Sequence, residues 1–246
     1  MNKKRNSIDF SNSLIKWFEK DGRNLSFRKS KDPYSVWLSE IILQQTQMET
    51  GLKYYNTFIK RFPKIKDLAE AKEEEVYNMW QGLGYYNRAK NLHKTAILIS
   101  KKMGGVFPEN YEELLKLPGI GRYTAAAISS ICYNERKFVV DANVFRVLSR
   151  YYGINKNISN SNAYSFFEDI SLNIGENIKS VGVYNEAIMD FGGSVCTSKK
   201  PHCDKCVINY SCVANRNDKQ NFFPIKNKRR VKKNRYFNYF ILENDE

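Results

Sequence analysis

The chain has 246 residues, which is enough for one large domain or two smaller lobes with cores of their own. Its formal net charge of +14 and pI near 9.4 favour a polyanionic partner, because Lys and Arg displace counterions from phosphates; the alternative is a Lys-rich composition without a binding role. No run of 18 apolar residues occurs, so we expect no membrane span. The first ten residues, MNKKRNSIDF, lack the apolar core of a secretory signal, and we therefore expect a cytosolic protein.

Apolar residues spaced by three and four positions predict that most of the chain is helical. The predicted helices cover residues 9–20, 34–50, 51–61, 72–80, 87–103, 110–116, 122–133, 141–152, 162–173 and 181–194. Short breaks with Pro or Gly separate them, and strand signals are scarce before residue 236. These patterns predict an all-α fold with short connections between its helices.

The first candidate site residue is Glu40, within the stretch WLSEIILQQTQ. Its neighbours Trp37, Leu38, Ile41 and Ile42 form an apolar setting, which raises the pKa of a carboxyl group and favours its protonated form. A proton donor for general acid catalysis needs such a setting. The alternative is an ordinary solvated glutamate on a helix face.

A second motif begins at Leu117 and reads LPGIGRYTA. Gly119 and Gly121 allow a tight backbone turn that approaches a phosphate, and the amides at the start of the next helix are free to bind it. This pattern is typical of a helix-hairpin-helix turn. Asp141 follows in VDANV, where it opens a helix, so a purely structural role as an N-cap is the alternative to catalysis.

Four of the five cysteines lie within 17 residues, with six, two and five residues between successive members: Cys196, Cys203, Cys206 and Cys212. In a reducing compartment this clustering favours a metal site over disulfides, and four thiolates suit either a [4Fe–4S] cluster or zinc. Structural zinc sites usually contain two close cysteine pairs, whereas this chain has one, so the spacing favours the iron–sulfur cluster. Cys132 lies among apolar residues and is predicted to be a buried thiol.

Beyond the cysteines, residues 226–246 are predicted to form a basic connector followed by a strand-like segment at Tyr236–Leu242. Seven strand-forming residues cannot make a domain. A solvated linker is the usual interpretation of such a basic run.

Taken together, the motifs resemble those of MutY-type adenine DNA glycosylases, of the endonuclease III superfamily. The resemblance runs from about residue 8 to residue 225. It is carried by DPY at 32–34, WLSEIILQQTQ, QGLGYY at 81–86 with Arg88 and NLH at 91–93, LPGIGRYT, VDANV, Asn185-Glu186-Ala187 through Gly192, and the cysteines. It implies a helix-hairpin-helix glycosylase fold with a six-helix module at 28–137, an iron–sulfur lobe formed by 1–27 and 138–225, and the active site in the cleft between them.

The resemblance also implies roles for individual residues. Glu40 would protonate the adenine and help to position water, Asp141 would stabilise the oxocarbenium ion, and Asn143 would help to hold the site. Arg28, Leu43 and Glu186 match positions that line or read the adenine pocket. Gln45 and Tyr85 match residues that wedge into the duplex while the base is flipped. Gly119, Gly121 and Arg122 would meet the DNA backbone, as would the basic cluster loop with Lys199, Lys200, His202 and Lys205.

Tyr123 predicts the class of reaction. Relatives of the endonuclease III type have a lysine at this position, which forms a Schiff base with the sugar and permits strand cleavage. A tyrosine cannot form that imine, so the resemblance implies a monofunctional glycosylase that leaves an abasic site. Its implied partner is double-stranded DNA with a mispaired base, bound by a monomer in the cytoplasm or, in a bacterium, at the nucleoid.

Two departures from the family keep other functions open. The family usually has Leu-Pro-Trp before the residue equivalent to Arg28, where this chain has Leu25-Ser26-Phe27, and a second domain that recognises 8-oxoguanine is expected to be missing. A related branch of short iron–sulfur enzymes removes thymine from T·G mispairs, and VDANV with Met189-Asp190-Phe191 is compatible with it. Gln44, Gln45 and Glu186 favour adenine. A DNA-binding remnant without activity and a redox-sensing regulator are alternatives of another class.

Overall fold

The computed structural model describes residues 2–227 and 236–240. Twelve α-helices lie in these parts of the chain: α1 (Asn2–Asp21), α2 (Pro33–Leu43), α3 (Met48–Arg61), α4 (Ile65–Glu70), α5 (Glu73–Trp80), α6 (Asn87–Lys102), α7 (Tyr111–Leu114), α8 (Arg122–Tyr133), α9 (Ala142–Tyr152), α10 (Ala163–Ile174), α11 (Val181–Ser194) and α12 (Val213–Arg216). No strand occurs among the described residues, and the prediction of an all-α fold is confirmed.

Most of the helices lie where the apolar spacing predicts them, but α1 begins at Asn2 and not at residue 9, and the boundary between α2 and α3 also differs. The predicted helix 34–50 ends at Leu43, because Gln45 has a φ of +55° that no α-helix accommodates. The predicted helix 51–61 therefore begins earlier, at Met48. The short helices α4 and α12 were not predicted, since helices of six and four residues show little periodicity.

Helix α11 lies at the centre of the packing around the candidate site. It contacts α1, α8 and α9, and almost every residue on its inner faces is buried. Gly192 lets α11 approach the start of α9, because a Cβ at this position would lie 2.6 Å from the Cβ of Asn143. Helix α2 packs against the other side of α8, whose small residues Ala125–Ala127 are fully buried. The first turns of α8 and α9 thus lie beside α2 and α11.

The remaining expectations about organisation have different outcomes. No helix among the described residues is long and apolar enough to cross a membrane. The two-lobe division at residues 28–137 stays a prediction. Of the expected connector and strand-like segment, residues 228–235 and 241–246 lie outside the described residues. Residues 236–240 have no regular secondary structure, and their aromatic side chains are exposed.

Candidate active site

Glu40 lies on the third turn of α2, and the ends of that helix are well defined. Asp32 caps its first turn by accepting a hydrogen bond from the Ser35 amide at 2.9 Å, and Pro33 takes the first helical position. Trp37, Leu38, Ile41 and Ile42 are buried, as the sequence predicts. Glu40 points to the other side of the helix, where it lines a cavity between α2, α8 and α11.

Burial and, to a smaller extent, the nearby negative charges of Asp141 and Glu186 raise the pKa of Glu40 from 4.5 to about 7. A hydrogen bond from Tyr123 and the positive charge of Arg28 act in the opposite direction on this pKa. Near neutral pH the carboxyl group is therefore divided between its acid and its base form. A group in this condition can both give and take a proton.

Asp141 is held in place by three hydrogen bonds at the start of α9. Its Oδ1 accepts from the amides of Asn143 at 2.9 Å and Val144 at 2.8 Å, and its Oδ2 accepts from the Asn143 side chain at 2.7 Å. Burial raises the pKa of Asp141, while these hydrogen bonds lower it. The residue is thus the N-cap of α9 and, at the same time, a buried carboxylate next to Glu40, so the two interpretations of Asp141 are compatible.

Asn143 is itself fixed by Arg146, which lies one turn further along α9. The Arg146 guanidinium donates to Asn143 Oδ1 at 2.7 Å and, on its other side, to the carbonyl of Cys196 at 2.7 Å. Asn143 therefore has an orienting partner for its oxygen and uses its amide nitrogen for Asp141. Arg146 was not singled out from the sequence, where a lone arginine in a helix carries no distinctive signal.

The Tyr123 hydroxyl contacts two residues that line the cavity, Met189 and Glu40. It donates to Met189 Sδ at 3.0 Å and also faces the Glu40 carboxyl. Burial raises the pKa of Tyr123 well above its usual value, and the charges of Glu40 and Asp141 act in the same direction. The phenol therefore stays protonated and is available as a hydrogen-bond donor. An ionised Glu40 is a stronger acceptor for it than a thioether.

The cavity beside Glu40 contains both predicted pocket residues of opposite charge, Arg28 and Glu186, whose Nε and Oε1 are 3.6 Å apart. Burial raises the pKa of Glu186, whereas Arg28 and Lys31 lower it. The cavity is lined by Phe27, Arg28, Ser30, Lys31, Val36, Ser39, Glu40, Ile131, Glu186 and Met189. It thus combines four apolar residues with six polar or charged ones.

Asp190 holds Arg28, one of the residues that line this cavity. The sequence analysis did not assign this role to Asp190. Its carboxylate is fully buried and accepts from the Arg23 amide at 2.9 Å and from Arg28 Nη2 at 3.3 Å. It also forms an ion pair with the Arg23 guanidinium at 2.5 Å. These partners are more than 160 residues away in sequence, so no local pattern could have indicated them.

Three other predicted residues lie outside the cavity. Leu43 ends α2 and packs towards Gly51, and it is not among the residues that line the cavity. Gln45 and Tyr85 lie on two separate loops, both are exposed, and their φ angles of +55° and +47° are unusual for residues with side chains.

The turn before α8 has the geometry that its glycines predict. Gly119 has a φ of +76°, and a Cβ there would lie 2.7 Å from the Cβ of Asn91. Thr95 supports the turn by donating to the Pro118 carbonyl at 2.8 Å. Gly121 is the N-cap of α8, and the exposed Arg122 follows at its first position, with its guanidinium 5.6 Å from the centre of the Tyr164 ring. Free amides and a cation therefore meet at one end of α8.

The four clustered cysteines line a single cavity whose walls also include Val147, Arg150, Tyr151, Phe191, Val195 and Ile208. Burial raises the pKa of Cys206 to about 12, and the other three thiols, which lie nearby, act in the same direction. Arg150 donates to Cys196 Sγ at 3.4 Å and to the Thr197 carbonyl at 2.7 Å. Cys132 is distant in sequence and does not line this cavity.

Among the described residues, no group of three or more His, Cys, Asp or Glu side chains forms a site for a metal ion. The four thiols share one cavity, and four cysteine thiolates are the ligands of a [4Fe–4S] cluster as well as of structural zinc. The chemistry of the donor set thus fits the expected cluster.

Comparisons with known proteins agree with this architecture. The family profile of the HhH-GPD superfamily base excision DNA repair protein matches residues 38–170. Adenine DNA glycosylases from Buchnera aphidicola of Acyrthosiphon pisum and of Baizongia pistaciae are 41% and 39% identical to the chain and match 89% and 96% of it. These matches span 62% and 70% of the two relatives. The human adenine DNA glycosylase is 36% identical over 83% of this chain and 39% of its own length.

Solved structures give the same fold. A thermostable thymine-DNA glycosylase superposes with a TM-score of 0.76 and 28% identity, and the match covers 88% of this chain and 98% of that one. Endonuclease III in a non-covalent DNA complex has a TM-score of 0.71 and 21% identity, with 89% and 99% covered. The resemblance drawn from the motifs and the expected helix-hairpin-helix glycosylase fold are thus confirmed.

Proposed function

The chain belongs to the HhH-GPD superfamily of base excision DNA repair proteins, and we propose that it is a monofunctional DNA glycosylase that hydrolyses the N-glycosidic bond of a mispaired adenine. The observation that carries the proposal is the site around Glu40, a carboxyl with a pKa near 7 in a cavity that also contains Arg28 and Glu186, with Asp141 close by. The curated relatives named adenine DNA glycosylase support the choice of base, although the chain spans only 62% of the length of the first of them.

The chemistry requires an acid and an electrostatic stabiliser, and two carboxyl groups divide these tasks. Adenine is a poor leaving group unless a ring nitrogen is protonated, and Glu40 in its acid form supplies that proton. Asp141, whose ionised form is favoured by three hydrogen bonds, stabilises the positive charge that develops on the deoxyribose. Once Glu40 has lost its proton, it can orient the attacking water. Asn143 keeps the Asp141 carboxylate aimed at the sugar.

Hydrolysis without strand cleavage follows from Tyr123. Its phenol carries no amine for an imine with the sugar, and its high pKa excludes a phenolate nucleophile near neutral pH. As a donor to the ionised Glu40, it stabilises the carboxylate that remains after adenine has been protonated.

The base would enter the cavity beside Glu40. Adenine presents both donors and acceptors on its edges, and the paired Arg28 and Glu186 offer complementary groups. Leu43 is proposed to contact the base from the end of α2. Gln45 and Tyr85, exposed on two neighbouring loops, are proposed to fill the duplex when the adenine is turned out.

The DNA backbone would be held at two places. One is the turn with Gly119, Gly121 and Arg122, where helix α8 presents free amides and a cation. The other is the basic loop around the cysteines, with Lys199, Lys200, His202 and Lys205. The net charge of +14 supports binding to DNA, and relatives of the same fold have been solved with it. We propose that the protein acts as a monomer on DNA in the cytoplasm or nucleoid.

A [4Fe–4S] cluster is the proposed cofactor, held by Cys196, Cys203, Cys206 and Cys212. The shared cavity of these thiols and their spacing in the sequence support the cluster. When bound, the cluster would fix the shape of the basic loop and would take no part in breaking the glycosidic bond. Arg146 and Arg150 hold the first part of this loop through the carbonyls of Cys196 and Thr197.

The proposal is tested by single-turnover excision from three duplexes that differ only in one pair: adenine opposite 8-oxoguanine, adenine opposite guanine, and thymine opposite guanine. We expect adenine release from the first two and loss of release by a factor of about 100 or more in Glu40→Gln, with DNA binding retained. No borohydride-trapped adduct is expected, and efficient trapping with strand cleavage would contradict the monofunctional mechanism.

Release of thymine is the second candidate function, because a thymine-DNA glycosylase shares the fold over 98% of its own length. Thymine release alone in the same experiment would replace the main proposal. Binding without release from any duplex would indicate a DNA-binding protein without activity.

A further inference from the structure

We propose that Arg88 links the loop that contains Gln45 to the loop that contains Tyr85, and thereby controls how far the duplex is opened around the target base. The inference rests on the proposed function, since it concerns the step that brings the base into the cavity. Arg88 does not line the Glu40 cavity and is therefore a positioning residue.

Both loop residues are held in a backbone conformation that their side chains disfavour. Gln45 and Tyr85 have φ angles of +55° and +47°, which residues other than Gly rarely adopt. Both side chains are exposed, and that of Tyr85 keeps 67% of its surface free. Packing of these side chains thus does not fix the two loops, and another contact must do so.

The Arg88 guanidinium supplies that contact. Its Nη1 donates to the carbonyls of Ile41 at 3.0 Å, Ile42 at 3.2 Å and Gln44 at 2.5 Å, at the end of α2. Its Nη2 donates to the carbonyls of Leu83 at 3.2 Å and Gly84 at 3.4 Å. One group thus binds the residues directly before Gln45 and directly before Tyr85. The last carbonyls of a helix lack partners within it, and Arg88 is a partner for three carbonyls at this end of α2.

Aromatic rings enclose the same guanidinium. Its carbon lies 5.0 Å from the centre of the Trp80 ring and 5.8 Å from that of the Tyr85 ring. The indole of Trp80 donates to the Gly84 carbonyl at 3.0 Å, so the second loop is fixed at that atom from two sides. Arg88 therefore contacts both the backbone before Tyr85 and its ring.

Only an arginine can make this set of contacts. Its planar fork reaches carbonyls on two sides at once, whereas the ammonium of a lysine is a single point that cannot join both loops. Arg88→Lys keeps the charge and much of the side-chain volume, so it separates the bridging role from simple electrostatic attraction to DNA.

The experiment measures base extrusion directly. In the background Glu40→Gln, which prevents excision, we bind the protein to a duplex with adenine opposite guanine and 2-aminopurine beside the adenine. Fluorescence of 2-aminopurine rises when its stacked neighbour leaves the helix. We expect Arg88→Lys to bind this duplex with an affinity within about threefold of its parent, because the phosphate contacts lie elsewhere, and to lose most of the fluorescence increase.

Excision rates of proteins that retain Glu40 supply a second measurement. We expect Arg88→Lys to slow adenine release from the duplex by about tenfold or more, since two loops must then be ordered during binding. With the adenine opposite an abasic-site analogue, where no pair has to be broken, the loss should be smaller. Tyr85→Ala should show the same dependence on the substrate.

Arg136→Lys is the matched control. This arginine also holds a loop through carbonyls, those of Gly175, Glu176 and Ile178, but at a distance from the wedge residues. It should leave extrusion unchanged, and melting of each variant checks its folding. A full fluorescence increase with Arg88→Lys would overturn this inference and leave the proposed function standing. An equal loss of excision rate with adenine opposite guanine and opposite the abasic-site analogue would do the same. An absence of extrusion with the parent protein would remove the proposed function and this inference with it.

Discussion

At the residue scale, the candidate site depends on two carboxyl groups whose surroundings differ. Glu40 is buried near two other carboxyl groups, Asp141 and Glu186, and burial together with these charges raises its pKa to about 7. Asp141 accepts three hydrogen bonds at a helix N-terminus, which favours its charged form despite burial. Local structure thus favours the charged form of Asp141, while the packing of the helices buries Glu40 and places the two groups near each other.

The first prediction concerns the pH dependence of excision. The proposed mechanism requires the acid form of Glu40, so the single-turnover rate should fall as the pH rises above about 7, by roughly tenfold per pH unit. At low pH the rate should fall again as Asp141, whose pKa is raised from 3.8, becomes protonated. The measurement is the rate at saturating protein between pH 5 and 9, within the range where the protein is folded. A rate that stays constant from pH 6 to 9 would contradict a role for Glu40 as the acid.

The same raised pKa links protonation of Glu40 to stability. Between pH 4.5 and 7 the folded chain retains a proton that the unfolded chain releases, so the free energy of unfolding decreases as the pH rises through this range. Glu40→Gln has no group that titrates here, so its free energy of unfolding does not show this decrease. The variant should be more stable than the parent above pH 7 by up to about 3 kcal/mol, and similar to it near pH 4. Urea unfolding at the two pH values is the control for the rate experiment, because it reports the pKa without any DNA.

At the scale of elements, the sequence predicted those features that depend on neighbouring residues. The apolar spacing located α6, α8, α9 and α11, and the glycines located the turn before α8. The apolar spacing placed the end of α2 wrongly, because the break at Gln44–Gln47 contains neither Gly nor Pro. The two arginines on Asp190 and the bridge made by Arg88 join residues distant in the chain, and a single sequence contains no pattern for such pairs.

A further prediction concerns the turn before α8. Gly119→Ala combines a positive φ with a close contact to Asn91, so it should destabilise the protein by about 1–3 kcal/mol and weaken its binding to DNA. Gly121→Ala is the matched control, since its φ is −94° and no atom lies within 4 Å of the added Cβ. Thermal melting and DNA affinity of both variants are measured together. Equal effects of the two substitutions would show that the left-handed turn is not needed.

At the scale of the whole molecule, α9 connects the candidate active site to the cysteine loop. Its first residues position Asp141 and Asn143, while Arg146 and Arg150, further along, hold the carbonyls of Cys196, Thr197 and Ser198. The start of the loop is thus held by protein contacts. Residues 203–212 consist of short turns between cysteines, with few contacts of this kind, and their order depends more on what the thiols bind.

This difference leads to a prediction about loss of the proposed cluster. Cys206→Ser should lose iron and sulfide, increase hydrogen exchange in residues 203–212, and weaken DNA binding at low salt, because the basic loop is no longer held. Exchange in α2, α8 and α11 should remain close to that of the parent, since Arg146 and Arg150 also bind backbone carbonyls of the loop, and these hydrogen bonds do not depend on the cluster. Cys132→Ser is the matched control and should retain iron, because Cys132 does not line the cysteine cavity. Zinc without sulfide in the parent protein would contradict the cluster, and exchange that spreads to α2 and α8 would show that the active site depends on it.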